Sequence, residues 1–262
     1  MPRERPEPVI TEVEPPNRRR ALSHIGGRVE ASEGPAALLS ILERALDVRV
    51  SEEAGLADLH GFHSYPARMH PDTAQVLIGS MSRRGESVLD PFCGSGTVLV
   101  AAQRLERVAL GSDLNPIAVE LSSLKTARLG AKFAESIERA AAEVAEHAKA
   151  RQTAKLGPTV LYGPEDRELF AMHVLLELDG LRDGIEALRD PPMERALFLV
   201  LSAILTKLSV KAGDASSRTT TKRLARGYAI RFFVHKAHDL SMRLLEAKQA
   251  TPRGARPARV EV

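Results

Sequence analysis

Tryptophan is absent from the 262 residues, tyrosine occurs three times and phenylalanine seven times. A hydrophobic core must therefore be built from Leu, Val, Ile and Ala, and the 44% hydrophobic content supplies enough of them for a globular chain. A single cysteine, Cys93, excludes an intramolecular disulfide and fits a reducing compartment, so the expected location is the cytoplasm. His63 and His70 have no Cys or carboxylate at ligand spacing, which argues against zinc, and no metal is expected. The longest apolar run, Ala196 to Leu205, is far short of the ~20 residues that a membrane span needs, so no membrane partner is expected. Residues 1–20 are rich in Pro, Glu and Arg and contain no apolar core of a signal peptide.

Charge is unevenly distributed. Residues 201–262 hold 13 Lys/Arg against 4 Asp/Glu, whereas residues 1–200 hold 24 against 30. A basic C-terminal third suits a nucleic-acid phosphate surface, and equally suits a solvated helical face. Lys211, Arg218, Lys222, Arg223 and Arg226 lie in a stretch rich in Ser, Thr and Gly with no apolar face to bury. They are the candidate nucleic-acid residues, with a solubilising loop as the alternative.

The chain divides by pattern into four parts. Residues 1–34 combine proline with alternating charge and read as a disordered segment. Residues 35–130 hold an amphipathic stripe from Leu38 to Val48, a helix from Asp72 to Met81, and two short apolar strands with a helix after each. Residues 131–250 read as an all-helical block: a long exposed Ala/Glu/Lys helix over 131–151, a second from Pro164 to Leu178, a third over Ala196–Leu208, and a fourth from Arg223 to Lys248 interrupted near Gly227. Residues 251–262 are a linker and the start of a further strand. The fold class is α/β: a partial Rossmann-like sheet with a large helical insertion.

The chemistry is concentrated in Val88-Leu89-Asp90-Pro91-Phe92-Cys93-Gly94-Ser95-Gly96-Thr97. An apolar pair runs into an acid, Pro91 ends the strand, and a Gly-Ser-Gly loop leads into a helix. Such a strand–loop–helix junction lets a ligand approach the backbone and offers polar groups at the carboxyl edge of a sheet. The loop is neither G-x-G-x-x-G nor a P-loop, which disfavours a dinucleotide or nucleoside triphosphate. A second short strand, Val108 to Ser112, ends in Asp113, 23 residues after Asp90, the interval that places a ribose-binding carboxylate at the next strand end. Cys93 sits inside the loop, where a small packed side chain is expected rather than a nucleophile.

Asp90-Pro-Phe-Cys-Gly-Ser-Gly-Thr97 resembles motif I of the S-adenosylmethionine-dependent amino-methyltransferases, which make N4-methylcytosine and N6-methyladenine in DNA. Asp113-Leu-Asn-Pro116 resembles their motif II, and Gly61-Phe-His-Ser-Tyr-Pro-Ala-Arg-Met-His-Pro71 resembles the segment before motif I in permuted members. The resemblance implies a class I methyltransferase sheet, S-adenosyl-L-methionine as cofactor, DNA as substrate and a place in restriction-modification. It implies that Asp90, Pro91, Phe92, Cys93, Gly94, Ser95, Gly96 and Thr97 hold the methionine end, with His63, Tyr65 and Pro66 as a wall. It implies that Asp113 meets the ribose hydroxyls, and that Leu114 and Asn115 lie near the adenine.

The family's catalytic Asp/Asn/Ser-Pro-Pro-Tyr/Phe motif has one candidate here, Asp190-Pro-Pro-Met193. A helical pattern precedes it where the family has a strand, and Met193 replaces the aromatic, so Asp190 reads as a helix–helix turn. The catalytic residue is then unknown, and the chain resembles the N-terminal, cofactor-binding half of such an enzyme, completed by a second polypeptide. The alternatives are an RNA guanine-N2 methyltransferase, which shares a similar motif I, and a non-catalytic cofactor- or nucleic-acid-binding subunit.

Overall fold

A computed structural model describes residues 33–46, 57–66, 68–210 and 223–262. The proposed disordered segment up to residue 32 lies outside them, as do the end of the first amphipathic stripe and Lys211, Arg218 and Lys222. The order of elements is α1 (Ala36–Leu46), a 3-10 turn (Asp58–Gly61), α2 (Pro71–Met81), β1 (Ser87–Asp90), α3 (Thr97–Arg104), β2 (Val108–Ser112), α4 (Pro116–Thr126), α5 (Ala131–Thr153), α6 (Pro164–Leu169), α7 (Met172–Glu186), α8 (Pro191–Leu208), α9 (Tyr228–Ala250) and β3 (Arg259–Glu261).

The three strands form one parallel sheet in the order β1-β2-β3, with Leu89 opposite Leu110 and Gly111 opposite Val260. This is the partial Rossmann-like sheet expected from the sequence. Alternation along the strands turns Val88, Ala109 and Val260 towards a small core with Ala74, Ile78, Leu99 and Ala102 of α2 and α3. Gly111 faces the same way, and a Cβ there would lie 2.6 Å from Leu99 Cδ1, so only hydrogen lets α3 approach β2. The opposite face is bare at its edge: Leu89 is 66% exposed, and among the described residues β1 pairs with β2 alone. Parallel sheets are ordinarily covered on both faces.

The helices from α5 onward enclose a second, larger core, which also takes in Leu59, Phe62, Leu121 and Leu124 from the region around the sheet. Phe233, Leu240, Ile137 and Leu197 are fully buried there, each worth about 1.5–3 kcal/mol relative to exposure. The 131–151 helix was expected to be exposed, and here the structure corrects the reading. Ala134, Ile137, Ala141, Val144, Ala145 and Ala148 of α5 are buried against α7 and α9. Alanine carries little hydrophobic signal, yet its small side chain permits close helix packing. A Cβ on Gly180 of α7 would lie 3.1 Å from Ala148 Cα.

Two further boundaries differ from expectation. The single helix over Pro164–Leu178 is two helices, because Phe170 and Ala171 are extended (ψ 140° and 146°). The last long helix begins at Tyr228 rather than Arg223, since Gly227 adopts a left-handed conformation at its N-cap. A buried carboxylate fixes that start: Glu177 of α7 accepts hydrogen bonds from Gly227 N–H (2.5 Å) and Ala229 N–H (3.0 Å). A negative charge at a helix N-terminus is favourable. No described helix is long and apolar enough to cross a membrane.

Candidate cofactor site at the carboxyl edge of the sheet

Both strands deliver an acid to the same edge. Asp90 ends β1, and its Oδ1 accepts a hydrogen bond from Phe92 N–H at 3.1 Å, which turns the chain sharply out of the strand. The loop then closes on itself and on β2: Cys93 N–H donates to Ser112 O (3.0 Å), and Gly96 N–H to Cys93 O (2.8 Å). Gly96 is the N-cap of α3 with φ 81°, and a Cβ there would fall 2.7 Å from Ser122 Cβ and 2.9 Å from Ser122 Cα. Glycine is required twice over at this position, for its backbone conformation and for the contact between α3 and α4.

Asp113, one residue beyond β2, binds the loop to the next helix. Its Oδ2 accepts from Gly94 N–H at 2.8 Å and its Oδ1 from Asn115 N–H at 2.9 Å. Asn115 caps α4 by accepting from Ile117 N–H at 3.0 Å, and its Nδ2 donates to the Tyr65 hydroxyl at 3.4 Å. Gly94 in turn lies against Tyr65, whose ring carbon would be 3.4 Å from an added Cβ. Tyr65, Gly94, Asp113 and Asn115 are thus one connected group drawn from three separate stretches of sequence.

The remaining expected site residues divide by burial. Phe92 (84% exposed) and Leu114 (89%) stand out from the edge as uncovered apolar side chains, and Pro66 and Pro91 are exposed beside them. Ser95, Thr97 and Cys93 are buried under the loop, and the Ser95 hydroxyl has no hydrogen-bond partner. Cys93 packs with Leu99 and Ala109, and burial pushes its thiol pKa up, which suits a packing role. His63 leads away from the group: its Nε2 is 3.1 Å from the Ser202 hydroxyl on α8. Burial, together with the Lys125 and Lys236 charges, lowers its pKa to about 4, so the ring is neutral at physiological pH. His70 caps α2 through Nδ1, which accepts from Asp72 N–H at 3.3 Å. Asp190 is likewise a cap, accepting from Met193 N–H at 3.3 Å at the start of α8.

Burial raises the Asp90 carboxyl pKa against the opposing hydrogen bond from Phe92, and the Asp113 carboxylate adds to the rise. Neither acid has a salt-bridge partner among the described residues. A carboxylate oxygen can accept more than one hydrogen bond, so both acids keep capacity for an outside donor. The edge therefore offers two acceptor groups for hydroxyl or ammonium donors, flanked by two apolar side chains.

Comparison with known proteins matches this stretch and little else. Residues 41–124 match a protein-family model described as DNA methylase. That segment belongs with the DNA amino-methyltransferases. Type II methyltransferase M.MjaII of Methanocaldococcus jannaschii is 28% identical over 76 residues, 29% of this chain and 14% of the relative. Type II methyltransferase M.EcaI of Enterobacter cloacae is 41% identical over 49 residues, 19% of this chain and 11% of the relative. Type II methyltransferase M.MvaI of Kocuria varians is 36% identical over 70 residues, 26% of this chain and 15% of the relative. The matched part of the chain thus spans only 11–15% of these relatives' lengths. No solved structure matches the chain.

The methyltransferase segment carries all the expected cofactor residues, but the sequence did not reveal how they are tied together. Ser122 behind Gly96, and Ser202 against His63, are separated from their partners by 26 and 139 residues, and no local pattern links them.

Proposed function

We propose that this chain is the S-adenosylmethionine-binding part of a DNA amino-methyltransferase, with residues 35–130 holding the cofactor and a second polypeptide supplying the catalytic loop. The observation that carries this reading is the Asp113 bridge, which fixes the Gly-Ser-Gly loop beside two acids lacking a cationic partner. S-adenosylmethionine would supply the methyl group for transfer to an exocyclic base amine. Its ammonium and ribose hydroxyls are donors, matching the acceptors Asp90 and Asp113, and its adenine suits the exposed Leu114. The chain's own task is to bind and orient, which for a direct transfer between two bound reactants is most of the catalysis.

The need for a partner is supported by the bare edge of β1, with Leu89 and Phe92 exposed beside the site, and by the role of Asp190 as a helix cap. The exposed Arg223 and Arg226 are proposed to contact DNA phosphates together with Lys211, Arg218 and Lys222. Isothermal titration with S-adenosylmethionine tests the cofactor assignment: saturable binding to the chain, or to the chain reassembled with its partner, is expected. Binding in neither would refute it.

A further inference from the structure

A cavity of ≈120 Å³ opens between the last turn of α4, the start of α5 and the last turns of α9. It lies well away from the cofactor loop. Asn115 caps α4 at the site, Lys125 is near the helix's other end, and eleven helical residues span about 16 Å. The described residues lining it include Lys125, Arg128 and Lys248, and no carboxylate.

Lys125 is the unusual member. It is 4% exposed, and its ammonium has no hydrogen-bond partner. The neighbouring acid, Asp58, is already paired with Arg104. Arg68, which also acts on Lys125, has the same sign. A buried ammonium without a counter-charge is strongly disfavoured. Around it the wall is arranged for an anion. Arg128 is fixed in place by hydrogen bonds from its Nη1 to the carbonyls of Arg253 and Ala255. Gly130 is the N-cap of the 23-residue α5, and no side chain caps that helix. Uncapped first-turn N–H groups and the helix dipole favour a bound anion.

We propose that this cavity is a phosphate-binding site, formed by Lys125, Arg128, Lys248 and the N-terminus of α5, and separate from the cofactor site. The space exceeds the ~30 Å³ that one water molecule occupies in the liquid, and a tetrahedral oxyanion fits it. Burial, with Arg68 adding to it, lowers the Lys125 pKa to about 7; a bound phosphate would hold the lysine in its charged form. The phosphate can be free in solution or part of a nucleic-acid backbone, since both present the same oxygens.

Thermal melts of the full chain at neutral pH, in sodium phosphate against sodium chloride of equal ionic strength, test the proposal. Phosphate is expected to stabilise the wild type saturably, beyond chloride. Lys125→Met and Lys248→Ala should each weaken that binding by about tenfold or more, the loss of a charged hydrogen bond. Lys125→Met should fold at least as well as the wild type in the absence of phosphate, because it removes an unpaired buried charge. If that variant does not fold, the exposed Lys248→Ala decides. A short duplex that competes with inorganic phosphate in the wild type, but binds Lys125→Met more weakly, would assign a backbone phosphate; a duplex that leaves phosphate binding untouched would assign the free ion. Equal stabilisation by phosphate and chloride, or the same phosphate midpoint in wild type and variants, overturns the proposal. None of these results depends on cofactor binding.

Discussion

The Gly94 amide donates a 2.8 Å hydrogen bond to Asp113 Oδ2, joining the cofactor loop after β1 to the residue that follows β2. One carboxylate thereby shapes the loop and faces the site at once. Asp113→Ala should lower stability by about 1–3 kcal/mol, through the unsatisfied Gly94 and Asn115 amides, and should also weaken S-adenosylmethionine binding. Asp113→Asn keeps one acceptor oxygen and should fall between the two. Urea denaturation and isothermal titration on both variants check this; an unchanged midpoint in Asp113→Ala would remove the bridge from the account.

Gly96 and Gly85 separate backbone strain from steric clash. Both have positive φ, 81° and 86°, but an added Cβ at Gly85 meets nothing within 4 Å, whereas at Gly96 it meets Ser122 at 2.7 Å. Gly85→Ala should cost about 1–2 kcal/mol, the price of a left-handed residue. Gly96→Ala should cost clearly more and displace α3 from α4. Equal losses of melting temperature in the two variants would mean that α4 yields at Ser122.

Asp190→Ala removes the N-cap of α8 and should cost about 0.5–2 kcal/mol. In an enzyme reconstituted with the proposed partner it should leave methyl transfer to DNA intact. Complete loss of radiolabelled transfer by a folded variant would promote Asp190-Pro-Pro-Met193 to a catalytic role.

Stability should depend on pH through two buried groups. Burial, followed by the Lys125 and Arg104 charges, lowers the His60 pKa from 6.5 to about 3. Between those values the unfolded chain binds a proton that the folded chain refuses, so stability is full above 6.5 and falls as the pH drops towards 3. His63, lowered to about 4, adds to the same acid limb. Lys125 acts at the alkaline end: its pKa falls from 10.5 to about 7, so stability rises as the pH increases across that interval. Denaturant melts from mildly acidic to mildly alkaline pH should show both slopes. His60→Gln should flatten the acid limb and Lys125→Met the alkaline one; slopes unchanged by either variant would contradict these assignments.

The proposed DNA contact has a salt signature. Affinity for mixed-sequence duplex should fall with salt at a log-log slope of about −0.9 per phosphate contact. Replacing Lys222, Arg223 and Arg226 together by Ala should flatten that slope without altering cofactor affinity. An unchanged slope would take the segment off the DNA surface.

By itself the sequence determined the local elements whose signals are local. Pro116 after Asn115, Pro191 after Asp190 and Pro71 after His70 mark helix starts that the structure keeps, each with a side-chain cap. The Val108–Ser112 strand and the Gly-Ser-Gly loop were equally legible, because apolar alternation, a strand-ending proline and paired glycines act over a few residues. The partial parallel sheet and the helical block followed from them. What only the tertiary structure decided lies between distant residues. The alanine face of α5 is buried because glycines on α7 let it approach, a shape match that hydropathy does not register. Glu177 starts α9 from 50 residues away. His63 turns towards Ser202 rather than the cofactor loop, and Lys125 lines a cavity without a counter-charge. In each case the energy of the group depends on its neighbours in space, and chain order does not encode them.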